Sequence, residues 1–376
     1  MKVYVKEFLD TLTIKMMIPW VSKNVCLLPL HSFADVSFGD LVIVSGLDAS
    51  VMRCEELECT IITCEEIFEK ILSNVRKEYH YNYDYYYMKN ALKEAVSPEI
   101  TTIISGSSYG LYGIDRTLLS HEVNLSMTSQ DLYYSLKGIY YVCERNPGIQ
   151  NVVLCVGYYY FFSDLSKTQS PKEVSRISKV YAPLYHDIHN CVLLPPKEEI
   201  MYESNIFDLH NVAKIYSREE YHKGYFHEAH PREKYAVRLW RDKEKNWTDL
   251  KTDEKEEAGK QRAGLHNKVT KRKASLVENV GLFQSFLDFC SRRNIHVLLV
   301  VTPVTPYYLN CISDDCRAGF YHVLNTLSVC GEGIHVLDLA GDSGYTEEDF
   351  NDTDHLSETG AEKLTAAILS TLKEIE

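Results

Sequence analysis

The sequence predicts an α/β protein: a three-layer α/β/α domain with a mostly parallel sheet, preceded by a small α/β unit. Three observations carry this. Apolar runs such as residues 151–157 and 296–301 have the unbroken hydrophobicity of strands covered on both faces. Amphipathic stripes such as Val280, Phe283, Leu287 and Cys290 recur at helical spacing. From Ile100 onward the two kinds of segment alternate, the pattern of a parallel sheet flanked by helices. At 376 residues the chain exceeds the roughly 100–200 of an ordinary domain, so it divides into an N-terminal unit over 1–96 and a larger domain over 97–376.

In the first part, short β-like runs lie at 25–28, 41–45 and 60–63, separated by turn residues such as Phe38-Gly39-Asp40. Ile67, Ile71 and Val75 then recur at steps of four and predict a helix over 65–75. No G-x-G-x-x-G follows a strand, so nothing there cradles a pyrophosphate. The tyrosine-rich stretch 79–96 reads as a connector helix that stops before Ser97-Pro98, because the residue ahead of proline disfavours helix. Beyond it, a β-branched run at 101–104 enters Gly106, and Glu122-Val123 forms a short strand. Leu132, Leu136, Ile139 and Cys143 line a helix over 131–143, with Thr128-x-x-Asp131 as its cap. A helix over 279–292 feeds the strand at 296–301, a further strand follows at 334–337, and Ala361, Leu364, Ile368 and Leu372 line a closing helix. A charged insertion over 196–265 interrupts the domain. Residues 241–262 alone hold seven acidic and seven basic side chains. They predict a solvated segment with i,i+4 pairs, or else a lid or partner-binding segment.

With 40 basic against 53 acidic residues the net charge is −13, which argues against a nucleic-acid partner. Lys6, Glu7, Asp10 and Lys15 break every apolar stretch near the N-terminus, so no secretory leader is expected. No apolar run reaches the roughly 18 residues of a membrane helix. A cytoplasmic location is therefore expected. The eleven cysteines include no CxxC pair, and the five-residue steps of Cys54, Cys59, Cys64 and of Cys311, Cys316 suit neither zinc nor redox sites. They read as small buried hydrophobes. His186, His189, His210, His222, His227 and His230 lack His-x-x-x-His spacing on an apolar helix and read as surface or loop histidines. No metal and no cofactor is expected. The tyrosine clusters at 79–87 and 158–160 serve packing or stacking on sugar rings.

Reactive groups in a parallel α/β sheet gather at the carboxyl ends of strands. At one such end stands Ile104-Ser105-Gly106-Ser107-Ser108-Tyr109. A serine directly after a strand and a glycine exposes its hydroxyl on a tight turn, with backbone N–H groups close by. At another stands Asp352-Thr353-Asp354-His355. Three-residue spacing lets a carboxylate hold the imidazole Nδ1–H while Nε2 faces a nucleophile. Either Asp352 or Asp354 can fill that role. His266, after the charged insertion, either opens a helix or approaches this site.

The order Ser, Asp, His, followed by Leu356-Ser357-x-x-Gly360-Ala361, resembles the SGNH (GDSL-like) hydrolase superfamily over roughly residues 97–376. Gly106-Ser107-Ser108 resembles the first block, whose second serine is the nucleophile, and Asp352-x-x-His355 resembles the last. The string DTDHLSETGAEKLT is similar to SGNH-like proteins of bacterial surface-polysaccharide and teichoic-acid loci, including the D-alanyl-transfer branch. The resemblance implies a triad of Ser108, His355 and Asp352. It implies that Ser126, after Asn124-Leu125, supplies an oxyanion amide where the second block usually has glycine. In the third block Gly157 is followed by Tyr158-Tyr159-Tyr160, so Tyr159 stands where asparagine is expected, and Tyr109 adjoins the nucleophile. A lost oxyanion donor costs about 10²–10³ in rate. A tyrosine hydroxyl or another amide replaces it, or the protein is slow or inactive. Two readings follow. One is a serine esterase or O-acyltransferase acting on an acylated carbohydrate or a cell-envelope glycan precursor. The other is a catalytically weak or inactive module that binds a glycan or a polysaccharide-biosynthesis enzyme, with the charged insertion as the partner-protein contact. A nucleotide-sugar-handling protein, resting on the α/β look of residues 1–70, is a weaker third.

Overall fold

The structure, a computed structural model, describes residues 2–5, 27–37, 40–44, 59–63, 66, 82–168, 170–192, 246–328 and 334–375. The chain divides into two compact units that part between Tyr83 and Asp84. The helix expected over 65–75 lies outside the described residues, apart from Glu66, as do residues 193–245 of the charged insertion.

The first unit holds a four-stranded parallel sheet in the order β2-β1-β3-β4, with β1 Val3–Val5, β2 Leu27–Pro29, β3 Leu41–Val44 and β4 Thr60–Thr63. All four residues of β3 are buried, and Val42 and Val44 pack with Tyr4 of β1. Asp40 ties the two strands together, its carboxylate accepting from the amides of Lys2 at 2.7 Å and Ser37 at 3.1 Å. Sequence reasoning missed β1. Its three apolar residues sit between Lys2 and Lys6, too short a run to display an alternation.

The second unit is built on five parallel strands: β5 Thr102–Gly106, β6 Glu122–Asn124, β7 Asn151–Val156, β8 His296–Val301 and β9 Ile334–Asp338, in the order β6-β5-β7-β8-β9. Around it lie α1 Tyr83–Ala95, the short α2 Ser108–Gly113, α3 Leu132–Cys143, α4 Thr252–Val269, α5 Lys273–Arg292, α6 Asp314–Ser328 and α7 Glu358–Ile375. Ile104, Val153, Cys155, Leu298 and Val300 pack against Leu364, Ile368 and Leu372 of α7. The alternate residues Ile103, Val152, Leu154 and Leu299 are buried too, and α3 and α5, which carry buried Ile139, Phe283 and Phe286, contact β5 and β8. Each such side chain contributes about 1.5–3 kcal/mol by burial. This is the expected α/β class. The chain passes from β5 to β6 on one side and then to β7 on the other. The sheet order therefore reverses at β5 and β7, and the crevice at their carboxyl ends is the place where such sheets bind ligands.

Two local expectations are corrected. Asp131 itself caps α3, its Oδ1 accepting from the Tyr134 amide at 3.0 Å, so the cap does not begin at Thr128. The charged stretch 252–269 is one continuous helix, α4, and His266 lies in its last turn instead of opening a new segment. Its buried face is Lys255, Gly259, Ala263 and His266, at helical steps but with hardly an apolar side chain among them, so hydrophobic periodicity passes over it. No helix among the described residues is long and apolar enough to cross a membrane.

Candidate active site

The turn that carries Ser108 forms because Gly106 ends β5 with φ +149°, and a Cβ there would lie 2.3 Å from the Cys155 carbonyl oxygen of β7. Only glycine fits both the conformation and the space. The chain then turns directly into α2, with Ser107 as its N-cap and Ser108 as its first residue. His355 reaches the same point from the loop before α7. Its Nε2 lies 2.8 Å from Ser108 Oγ. Its Nδ1 lies 3.1 Å from each Asp352 carboxylate oxygen. A carboxylate only accepts, so Nδ1 carries the proton and Nε2 accepts from the serine hydroxyl. Asp352 Oδ1 also accepts from the amides of Asp354 at 3.0 Å and His355 at 2.9 Å, which fixes the carboxylate on its own turn.

Asp354, two residues on, faces elsewhere. Its Oδ1 is 3.5 Å from His355 Nδ1, farther than Asp352. Its carboxylate accepts from Tyr109 Oη at 2.8 Å and from Arg262 Nε at 3.0 and 2.9 Å. Burial alone would raise its pKa, but the Arg262 guanidinium, then His355 and His266, hold it well below the usual carboxylate range. Arg262 comes from α4, the helix formed by the charged insertion, and sequence reasoning did not select it. The spacing Gly259, Arg262, Ala263, His266 on one helical face was the available signal. His266 does approach the site. Its Nδ1 lies 2.6 Å from Tyr308 Oη, and Tyr159 stacks on its ring at 4.0 Å. Burial first, and Arg262 second, lower its pKa to about 3, so it is neutral at ordinary pH.

The remaining expected residues divide. Tyr109 packs its ring 5.6 Å from that of His355, and burial followed by Asp354 pushes its phenol well up, so it remains a donor. Tyr159 sends its hydroxyl to Ser107 Oγ at 3.2 Å, next to Ser108. Its neighbours turn inward: Tyr158 meets Phe320 at 5.5 Å, and Tyr160 Oη lies 2.6 Å from buried Ser135 Oγ. Gly157 makes room for Tyr109, since a Cβ there would lie 2.2 Å from Tyr109 Cε2. The Ser126 amide donates to Asn124 Oδ1 at 2.9 Å, and its hydroxyl is fully buried.

Two groups among the described residues bring two carboxylates and a histidine within 4.8 Å of one another: Asp352, Asp354 and His355 here, and Asp131, Asp164 and His189 elsewhere. In the first, both ring nitrogens already have partners, Ser108 and Asp352. In the second, His189 lies in a loop, as expected, but its side chain is turned inward and only 7% exposed. His210, His222, His227 and His230 lie outside the described residues.

No protein-family model matches the chain, and no curated protein matches it. Among solved structures it is similar to a Streptococcus pneumoniae protein provisionally named a platelet activating factor, at 10% identity and a TM-score of 0.38, over 79% of this chain and 98% of that one. A likeness that slight says nothing of activity.

Proposed function

We propose that the protein is a serine hydrolase or acyltransferase in which Ser108 attacks an acyl carbonyl. The observation that carries this reading is the single line of contacts from Ser108 Oγ to His355 Nε2 at 2.8 Å and from His355 Nδ1 to Asp352 at 3.1 Å. Ser108 Oγ forms the bond to the carbonyl carbon as its proton passes to His355 Nε2, and the carbonyl electrons move onto oxygen. Asp352 orients His355 and stabilises the imidazolium. As the tetrahedral species collapses, His355 returns the proton to the leaving oxygen, and water or an acceptor hydroxyl then removes the acyl group by the same steps reversed.

The Ser108 amide, at the first position of α2, is one oxyanion donor in this reading. Ser126 serves as the other only by releasing Asn124. Tyr159 is the other candidate: its phenol, raised chiefly by burial, keeps its proton, and its hydroxyl would turn to the oxyanion by releasing Ser107 beside Ser108. This role for Tyr159 answers the missing asparagine of the resemblance to SGNH hydrolases. That resemblance supplies the substrate class, an O-acyl group on a carbohydrate or envelope-glycan precursor. Hydrolysis of p-nitrophenyl acetate by the protein and by Ser108→Ala tests the proposal. Loss of turnover in Ser108→Ala is expected, and equal rates would remove Ser108 from the mechanism.

A further inference from the structure

Asp131, Asp164 and His189 come from three separate segments: the cap of α3, the turn after β7 and the loop at 187–190. All three are enclosed. Asp131 is 1% exposed, Asp164 is 2% exposed, and the His189 side chain is 7% exposed. His189 Nε2 lies 3.1 Å from Glu278 Oε1 of α5 and 3.2 Å from Asn190 Nδ2, whose hydrogens are taken by Glu278 and Asp164; a carboxylate can only accept, so Nε2 carries a proton. The other nitrogen, Nδ1, is buried without a hydrogen-bond partner and faces Asp164 Oδ1 at 3.8 Å, too far for a hydrogen bond. In the neutral ring that is a lone pair aimed at a carboxylate oxygen, an arrangement that calls for a cation between them.

The charge around the cluster points the same way. Asp131, Asp164 and Glu278 bring three negative charges. Lys167 answers from the rim, at 2.9 Å from Asp164 Oδ2 and 3.8 Å from Glu278. Arg272 reaches only the Asp164 main-chain carbonyl, at 3.5 Å. The remaining contacts hold the carboxylates in place without neutralising them. Asp131 accepts from the amides of Tyr134 and Leu165, and Asp164 accepts from Ser166 and Asn190.

We propose that Asp131, Asp164 and His189 bind one divalent transition cation of the Zn²⁺ or Mn²⁺ class, with Glu278 orienting His189 from behind. Two carboxylate oxygens and one imidazole nitrogen are the donor set such ions accept. A ligating histidine that hands its second N–H to a carboxylate is the usual outer arrangement of such a site. The ion pins the start of α3, the turn after β7 and the 187–190 loop to α5. It takes no part in the chemistry proposed for Ser108, and it stands whether or not that chemistry does.

Calorimetric titration of the full chain with Zn²⁺, after treatment with a chelator, tests this. One equivalent is expected to bind. His189→Ala and Asp164→Asn should lose it, Glu278→Gln should weaken it about 10–100-fold, and His355→Ala should leave it unchanged. Absence of binding to the parent protein, or equal binding to His189→Ala, overturns the site. So does loss in His355→Ala with retention in His189→Ala, which would put the ion on the other cluster. If His189→Ala fails to fold by circular dichroism, Glu278→Gln carries the test, and unchanged affinity there is equally fatal.

Discussion

Asp352 and Asp354 stand two residues apart in one loop and do different work. Asp352 holds His355 Nδ1, while Asp354 is enclosed between Arg262 and Tyr109. Their variants should therefore separate. Asp352→Asn is expected to leave the melting temperature nearly unchanged and lower kcat about 10⁴-fold, because an amide no longer stabilises the imidazolium or fixes its tautomer. Asp354→Asn is expected to cost about 3 kcal/mol of stability by leaving Arg262 without its carboxylate; this is the low end for a buried pair, since Arg262 is 31% exposed. Thermal unfolding beside ester turnover checks both, and the reverse pattern would reassign the two residues. The serine and the Asp-x-x-His string were legible because each is a local motif at a strand end. Which aspartate faces the imidazole was not legible, because the backbone of that turn decides it. Arg262 was not legible either, lying 92 residues from Asp354 inside a run that reads as solvated charge.

Among the elements, α4 differs most from what its composition suggests. Lys255 is buried on Glu347 at 2.6 Å, and a Cβ on Gly259 would lie 2.3 Å from the Tyr307 carbonyl oxygen, so the helix is held by close approach and ion pairs. An apolar stripe is what sequence reading looks for, and α4 has none. The strands of the second unit were legible for the opposite reason: β7 and β8 are buried almost throughout, and burial of that kind selects unbroken Val, Leu and Cys. The turn after β7 depends on a glycine for its packing. Gly157→Ala should force Tyr109 away from Asp354 and cost about 1–3 kcal/mol by overpacking. Urea unfolding measures this. A variant as stable as its parent would mean that Tyr109 has room to yield.

For the whole molecule, the strand order was the least legible feature, since pairing joins segments far apart in sequence while periodicity reports only local ones. The buried histidine beside the site gives the folded chain a pH signature. His266 titrates near 6.5 when unfolded and at about 3 in the fold, so between those values the unfolded chain binds more protons. Stability from this residue is present above 6.5 and falls as the pH drops toward 3, by up to about 1.4 kcal/mol per pH unit. Denaturant unfolding at pH 7 and pH 5 should therefore show a smaller acid-side loss in His266→Gln than in the parent, and identical losses would contradict a neutral His266. Activation of Ser108 by His355, as proposed, is read by covalent labelling with a fluorophosphonate followed by peptide mass spectrometry. The adduct is predicted on Ser108, absent in Ser108→Ala and strongly reduced in His355→Ala. A parent protein that takes no label, or takes it on another residue, would rule out Ser108 as the nucleophile.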